Sequence, residues 1–175
     1  MLLLPALLFS QQQIRTEASA ARADIFLGAA FNGKNPSTGT AGLLGGTDFK
    51  VVGPLAIDAQ IDFASYGSGV ANTATLIDFL AGPRVAANVA GRIVPFADFL
   101  VGGYKFNNSS SQHTYTYANA AGLSAAADGG ADFALTRRFA LRGQAGFVFS
   151  NFAVSGLGSV GSYRWRVGSS LVYRF

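Results

Sequence analysis

Apolar and polar residues alternate with a period of two from Ala23 to the end of the chain. A β-strand turns successive side chains to opposite faces, so this period predicts strands and argues against helices. The pattern is plainest over residues 162–175. Tyr163, Trp165, Val167, Ser169, Leu171, Tyr173 and Phe175 share one parity, and Arg164, Arg166, Gly168, Ser170, Val172 and Arg174 share the other. One face is aromatic and apolar while the other holds three arginines. A barrel closed in lipid accommodates that polarity, with apolar side chains outside and charges within.

The same reading along the chain predicts eight strands, at 23–31, 42–52, 55–66, 75–87, 92–106, 118–135, 139–152 and 162–175. The intervening segments alternate long and short. Those at 32–41, 67–74, 107–117 and 153–161 are long and rich in Gly, Asn, Ser and Thr, whereas Gly53-Pro54, 88–91 and 136–138 are short turns. Outer-membrane barrels show this alternation, with short periplasmic turns and longer outward loops. The expected fold is therefore all-β: an eight-stranded antiparallel up-and-down transmembrane β-barrel over residues 21–175. Residues 1–20 form a signal-like segment, with an apolar run from Leu2 to Phe9 and a polar stretch after Ser10, though without a basic start.

If a lumen holds the ionisable residues, those of one strand must share a parity. Asp48 and Lys50 do so in strand two, as do Asp58, Gln60 and Asp62 in strand three and Asp78 and Arg84 in strand four. Asp128 and Asp132 agree in strand six, Arg142 and Gln144 in strand seven, and Arg164, Arg166 and Arg174 in strand eight. Strands one and five contribute one acid each, Asp24 and Asp98. Acids and bases on the expected inner face nearly balance. Eight strands leave room for little beyond side chains, so opposed charges are expected to pair into a salt-bridged plug rather than line an open pore. The competing arrangement, charges solvated on an open sheet, would require the opposite faces to share a large second core.

Composition narrows the function classes. Gly is abundant at 22 of 175 residues and aromatic residues reach 13%, which suits strands better than helices. No apolar run is long enough for a membrane-spanning helix. The net charge is +4 and the basic residues are scattered, so no nucleic-acid footprint is present. Cysteine is absent and histidine occurs once, too few soft ligands for a zinc site. No cofactor is expected.

The dyad strands, the terminal Tyr173-Arg174-Phe175, and the segments 62–67 (DFASYG), 81–85 (AGPRV) and 129–142 (GGADFALTRRFALR) resemble the small eight-stranded outer-membrane β-barrels of the OmpA/OmpX type. The resemblance covers roughly residues 22–175 and implies residence in the bacterial outer membrane. In that family, a C-terminal Phe preceded by alternating apolar positions resembles the signal read by the barrel-assembly machinery. Leu171, Tyr173 and Phe175 match it, as does Val167, whereas Ser169 departs from it. The implied partners are outer-membrane lipid and lipopolysaccharide, with periplasmic chaperones and the assembly machinery during biogenesis. Larger members of that family append a periplasmic peptidoglycan-binding domain; this sequence gives no sign of one, so a tethering role is not expected.

Some small barrels of this membrane modify lipid A with Ser and His at the outer face. His113, near Ser109, Ser110 and Ser111, is the single histidine, but His113-Thr114-Tyr115 departs from the His-x-Ser pattern, and the one glutamate, Glu17, precedes the barrel. A nucleophile needs an oriented base, and none is apparent. The expectation is a non-enzymatic envelope protein, with a lipid A-modifying enzyme and a soluble lipocalin-like binding barrel as alternatives.

Overall fold

The computed structural model describes residues 23–33, 39–66, 74–87, 91–108, 120–154 and 158–175. These form eight strands: β1 (Ala23–Gly33), β2 (Thr40–Val52), β3 (Leu55–Tyr66), β4 (Ala74–Ala86), β5 (Ile93–Asn108), β6 (Ala120–Ala134), β7 (Phe139–Val154) and β8 (Gly158–Arg174). Each pairs antiparallel with its sequence neighbours, and β8 returns to pair with β1, closing the barrel. Closure leaves no unpaired strand edge, which a sheet in hydrocarbon could not tolerate.

All eight predicted strands are present. Strand three has the predicted bounds, and the others differ by one to four residues at an end, mostly because ladders run further into the long connections. The β7–β8 ladder, for example, continues to Val154↔Gly158. Nothing in the chemistry of Gly- and Ser-rich strand ends marks where hydrogen bonding between backbones stops. The first and third short turns lie where the sequence places them; of the second, only Gly91 is among the described residues. Gly53 and Gly91 supply the positive φ of the first two, at 55° and 65°, a conformation that costs glycine little. In the third, Thr136 Oγ1 accepts from the backbone N–H groups of Arg138 at 3.2 Å and Phe139 at 3.0 Å. The signal-like segment and His113 lie outside the described residues.

Polarity is inside out relative to a water-soluble barrel. Leu123 is 75% exposed and Phe147 67%, whereas Arg142 and Arg166 are fully buried. The outer wall also exposes Ile57, Phe79, Phe99 and Val101 along the strand middles. Phe31, Phe149 and Tyr163 lie near the long-connection ends, and Phe139 and Phe175 near the short turns, all exposed. At that lower edge Tyr173 meets Phe139 and Phe175 edge-on, with ring centroids 5.3 and 4.9 Å away. Aromatic rings of this kind favour the lipid–water boundary.

Candidate functional site in the barrel lumen

The lumen is filled by side chains from all eight strands. The inward parity carries apolar residues as well as charges: Phe26, Ala30, Leu44, Ala140 and Val172 form one buried cluster, and Leu80, Leu100, Ala126 and Val148 another. The charged groups thread between them.

Strand pairing sets like charges side by side. Asp24 faces Asp48, Asp48 faces Asp58, Asp62 faces Asp78 and Asp98 faces Asp128. Adjacent carboxylates repel, so each group needs a cation from elsewhere on the wall. Toward the short turns, Arg84 Nη1 donates to Asp48 Oδ1 at 3.0 Å, and the guanidinium lies 3.7 Å from Asp58, 3.8 Å from Asp98 and 3.5 Å from Asp132. Arg142 donates to Asp48 at 2.6 Å and to Asp132 at 2.8 and 3.1 Å. Arg174 stands 3.8 Å from Asp24 and 3.7 Å from Asp132. Toward the long connections, Arg164 donates to Asp78 and, at 3.2 Å, to Ser150 Oγ. Arg166 donates to Asp128, and its Nη1 lies 3.4 Å from Asp62.

Gln60 joins the two halves. Its Oε1 accepts from Arg166 at 2.9 Å and its Nε2 donates to Asp58 at 2.7 Å. Ser124 donates to Asp78 at 2.9 Å, and Asn32 donates to Asp62 at 3.3 Å. The aromatic faces add a second kind of support: the Arg84 guanidinium lies 3.5 Å from the Phe96 ring centroid, and that of Arg142 lies 4.4 Å from Phe26. Such stacking is favourable when the cation is shielded from water.

Of the charges assigned to the lumen from sequence, Asp48, Asp58, Asp62, Asp78, Arg84, Asp98, Asp128, Asp132, Arg142, Arg164 and Arg166 are buried. Arg174 is partly exposed at the mouth. Lys50 is a correction. It has the inward parity, opposite Ala56, yet it is exposed. It stands one rung beyond Asp48, where the β2–β3 ladder shifts register between Lys50 and Val52, and a long flexible side chain at a mouth extends to water. Without Lys50 the inner charges no longer nearly balance: eight aspartates, Asp24 included, meet five arginines. Lys105, which the parity argument did not treat, faces outward opposite Ile77 and is exposed near the long-connection end of β5, where a charge can reach the interface. Phe26, Phe96, Asn32, Ser124 and Ser150 were not singled out from sequence. Parity within the predicted strands was the available signal for all but Asn32, which fell in the first predicted loop and enters the lumen because β1 runs on to Gly33.

Of the proposed assembly residues, Leu171 and Tyr173 lie on the outer face of β8 and Phe175 directly follows its end. Leu171 and Phe175 are exposed and Tyr173 partly so. Leu171 lies between Leu27 on β1 and Leu141 on β7. Among the described residues no group of three or more His, Asp or Glu side chains is arranged to hold a metal ion.

No protein-family model matches the chain, and no curated protein sequence matches it. Its fold matches solved structures. Neisserial surface protein A superposes with a TM-score of 0.67 and 8% identity, over 90% of this chain and 99% of that one. The attachment invasion locus protein Ail of Yersinia pestis, solved with the heparin analogue sucrose octasulfate, gives 0.60 at 12% identity over 89% of this chain and 99% of that one. A major outer membrane protein from Thermus thermophilus gives 0.58 at 12% identity, over 89% of this chain and 100% of that one. The chain thus has the fold of the small eight-stranded outer-membrane barrels, a closed antiparallel transmembrane β-barrel.

Proposed function

We propose that the chain is an integral protein of a bacterial outer membrane whose lumen is a salt-bridged plug, and that it serves envelope structure or surface contact rather than catalysis. The observation that carries this reading is the inverted polarity: buried arginines surrounded by aspartates inside, and predominantly apolar exposed side chains outside. An aqueous pore would need a continuous polar passage. The full burial of Arg142 and Arg166 and the two apolar clusters on the inward face support a filled lumen instead. The buried acids face arginines rather than a substrate cleft, which supports a non-enzymatic role. The lipid of the outer membrane, lipopolysaccharide and the barrel-assembly machinery fit as partners, the last through the outward row Leu171, Tyr173 and Phe175.

The test has two parts. Membrane fractionation with heat-modifiable gel migration is expected to place the protein among detergent-extracted outer-membrane barrels. Recovery from the soluble periplasm would overturn the localisation. In planar bilayers the refolded protein is expected to give no steady large conductance, and a stable large single-channel current would overturn the plug.

A further inference from the structure

The short-turn end of the barrel carries cations that the lumen does not use. Arg92, Arg137 and Arg138 are all exposed. No salt bridge joins any of them to an acid among the described residues. Backbone hydrogen bonds gather the arginines into one arc. Ala134 N donates to Arg92 O at 2.8 Å, which holds Arg92, just before β5, against the end of β6 that leads into the turn bearing Arg137 and Arg138. Arg174 N donates to Arg138 O at 2.8 Å, carrying the arc on to β8. The one aspartate of the described residues that is not buried, Asp24, is already beside Arg174.

Just outside this arc the wall turns apolar, with Leu135, Phe139 and Phe175 exposed. A basic rim above a greasy band has the two-part character of a phospholipid boundary: phosphate at one height, acyl chain at the next. A guanidinium suits a phosphodiester because its N–H groups can grip two oxygens at once. Cations that find no acid on their own wall draw their counter-ions from the surroundings, and at this height the surroundings are headgroups.

We propose that the short-turn rim is a binding surface for anionic phospholipid headgroups, with Arg92, Arg137 and Arg138 pairing the phosphate oxygens while the acyl chains lie against Leu135 and Phe139. This inference rests on the reading of the chain as a membrane-spanning barrel. It goes beyond that reading in assigning a lipid class and a site. Lys50 adds to the field from the β2 side. Lys105, at the opposite end of the barrel, takes no part.

The experiment refolds the full chain into phosphatidylcholine vesicles doped with spin-labelled phosphatidylglycerol or spin-labelled phosphatidylcholine and measures the motionally restricted fraction of each. The wild type is expected to favour phosphatidylglycerol by about fivefold or more at low salt, the gain of roughly one basic side chain at a charged surface, and to lose that preference as salt rises. The triple variant Arg92→Gln, Arg137→Gln, Arg138→Gln is expected to show almost none, with heat-modifiable migration unchanged. Lys105→Gln is expected to keep it. A wild type without preference, a preference indifferent to salt, or one that survives in the triple variant overturns the proposal. So does a wild type that ignores lipid charge but sediments with peptidoglycan sacculi through the same arginines, which would assign the rim to the cell wall. Failure to insert into phosphatidylcholine at all overturns the membrane reading itself, whereas insertion without selectivity overturns only the lipid site.

Discussion

Arg142 on β7 and Asp48 on β2 meet across the barrel, Nη2 to Oδ2 at 2.6 Å, with a sequence separation of 94 residues. The same guanidinium holds Asp132 on the neighbouring β6 and rests over the Phe26 ring. One buried cation therefore ties three strands from both sides of the lumen. Removing it leaves Asp48 with Arg84 alone, at 3.0 Å, and Asp132 with only the longer contacts to Arg84 at 3.5 Å and Arg174 at 3.7 Å.

Replacing Arg142 with Met is expected to lower the unfolding free energy of the refolded barrel by about 3–5 kcal/mol, the cost of breaking a buried charge network on one side. Urea titration in vesicles, followed by the gel shift of the folded form, measures it. Adding Asp48→Leu and Asp132→Leu to Arg142→Met is expected to recover part of the loss, because no uncompensated carboxylate then remains at those positions. A triple variant less stable than the single one would contradict this account of the network.

Arg166 and Asp128 form a pair on alternate strands, β8 and β6, with Gly146 of β7 between them in register. The glycine makes the pairing possible: a Cβ there would lie 2.2 Å from Asp128 Oδ1 and 2.2 Å from the Ala127 carbonyl oxygen. Gly146→Ala is expected to destabilise by about 1–3 kcal/mol through overpacking. Gly143→Ala, where a Cβ meets nothing within 4 Å, is expected to be neutral or to stabilise by up to about 1 kcal/mol. Equal effects of the two substitutions on the urea midpoint would refute the steric argument.

A double-mutant cycle on Asp128→Asn and Arg166→Gln isolates that pair. The coupling energy is expected to fall within about 0.5–3 kcal/mol, the range for residues in one network. The cycle formed by Asp128→Asn with Arg174→Gln, which share no salt bridge, is expected to be additive. Strong coupling in the second cycle would show that the lumen acts as one undivided electrostatic body.

The outer wall makes its own prediction. Phe99 is exposed midway along β5, and Tyr163 is exposed near the start of the regular β8 alternation. If lipid covers both, Phe99→Arg is expected to cost about 2–4 kcal/mol and Tyr163→Arg about 1 or less, because the penalty for a charge falls from the bilayer midplane to the interface. Equal penalties in vesicle unfolding would mean that the wall is not graded by membrane depth.

Much of the architecture was readable because a strand enforces a period of two, and every lumen acid and arginine then inherits a face from its neighbours. Asp58, Gln60 and Asp62 could be placed inward together from their spacing alone, and the structure buries all three. Turn chemistry was legible for a similar local reason: Gly53 and Gly91 stand where the backbone needs a positive φ. Lys50 departs from expectation because parity says which face a residue takes but not how far along the barrel axis the enclosed lumen extends. Phe26 and Phe96 share the inward parity, but no local rule says that their rings will lie under Arg142 and Arg84, which come from other strands.

The sequence by itself determined the strands, their two faces, the alternating connections and the inside-out polarity, since each follows from steric rules acting over a few residues. Only the tertiary structure decided which arginine meets which aspartate. Arg142 reaches Asp48, and Arg166 reaches Asp128 over Gly146, because strand register and closure of β1 against β8 fix which positions share a height across the lumen. That geometry belongs to the closed barrel and is carried by no single strand.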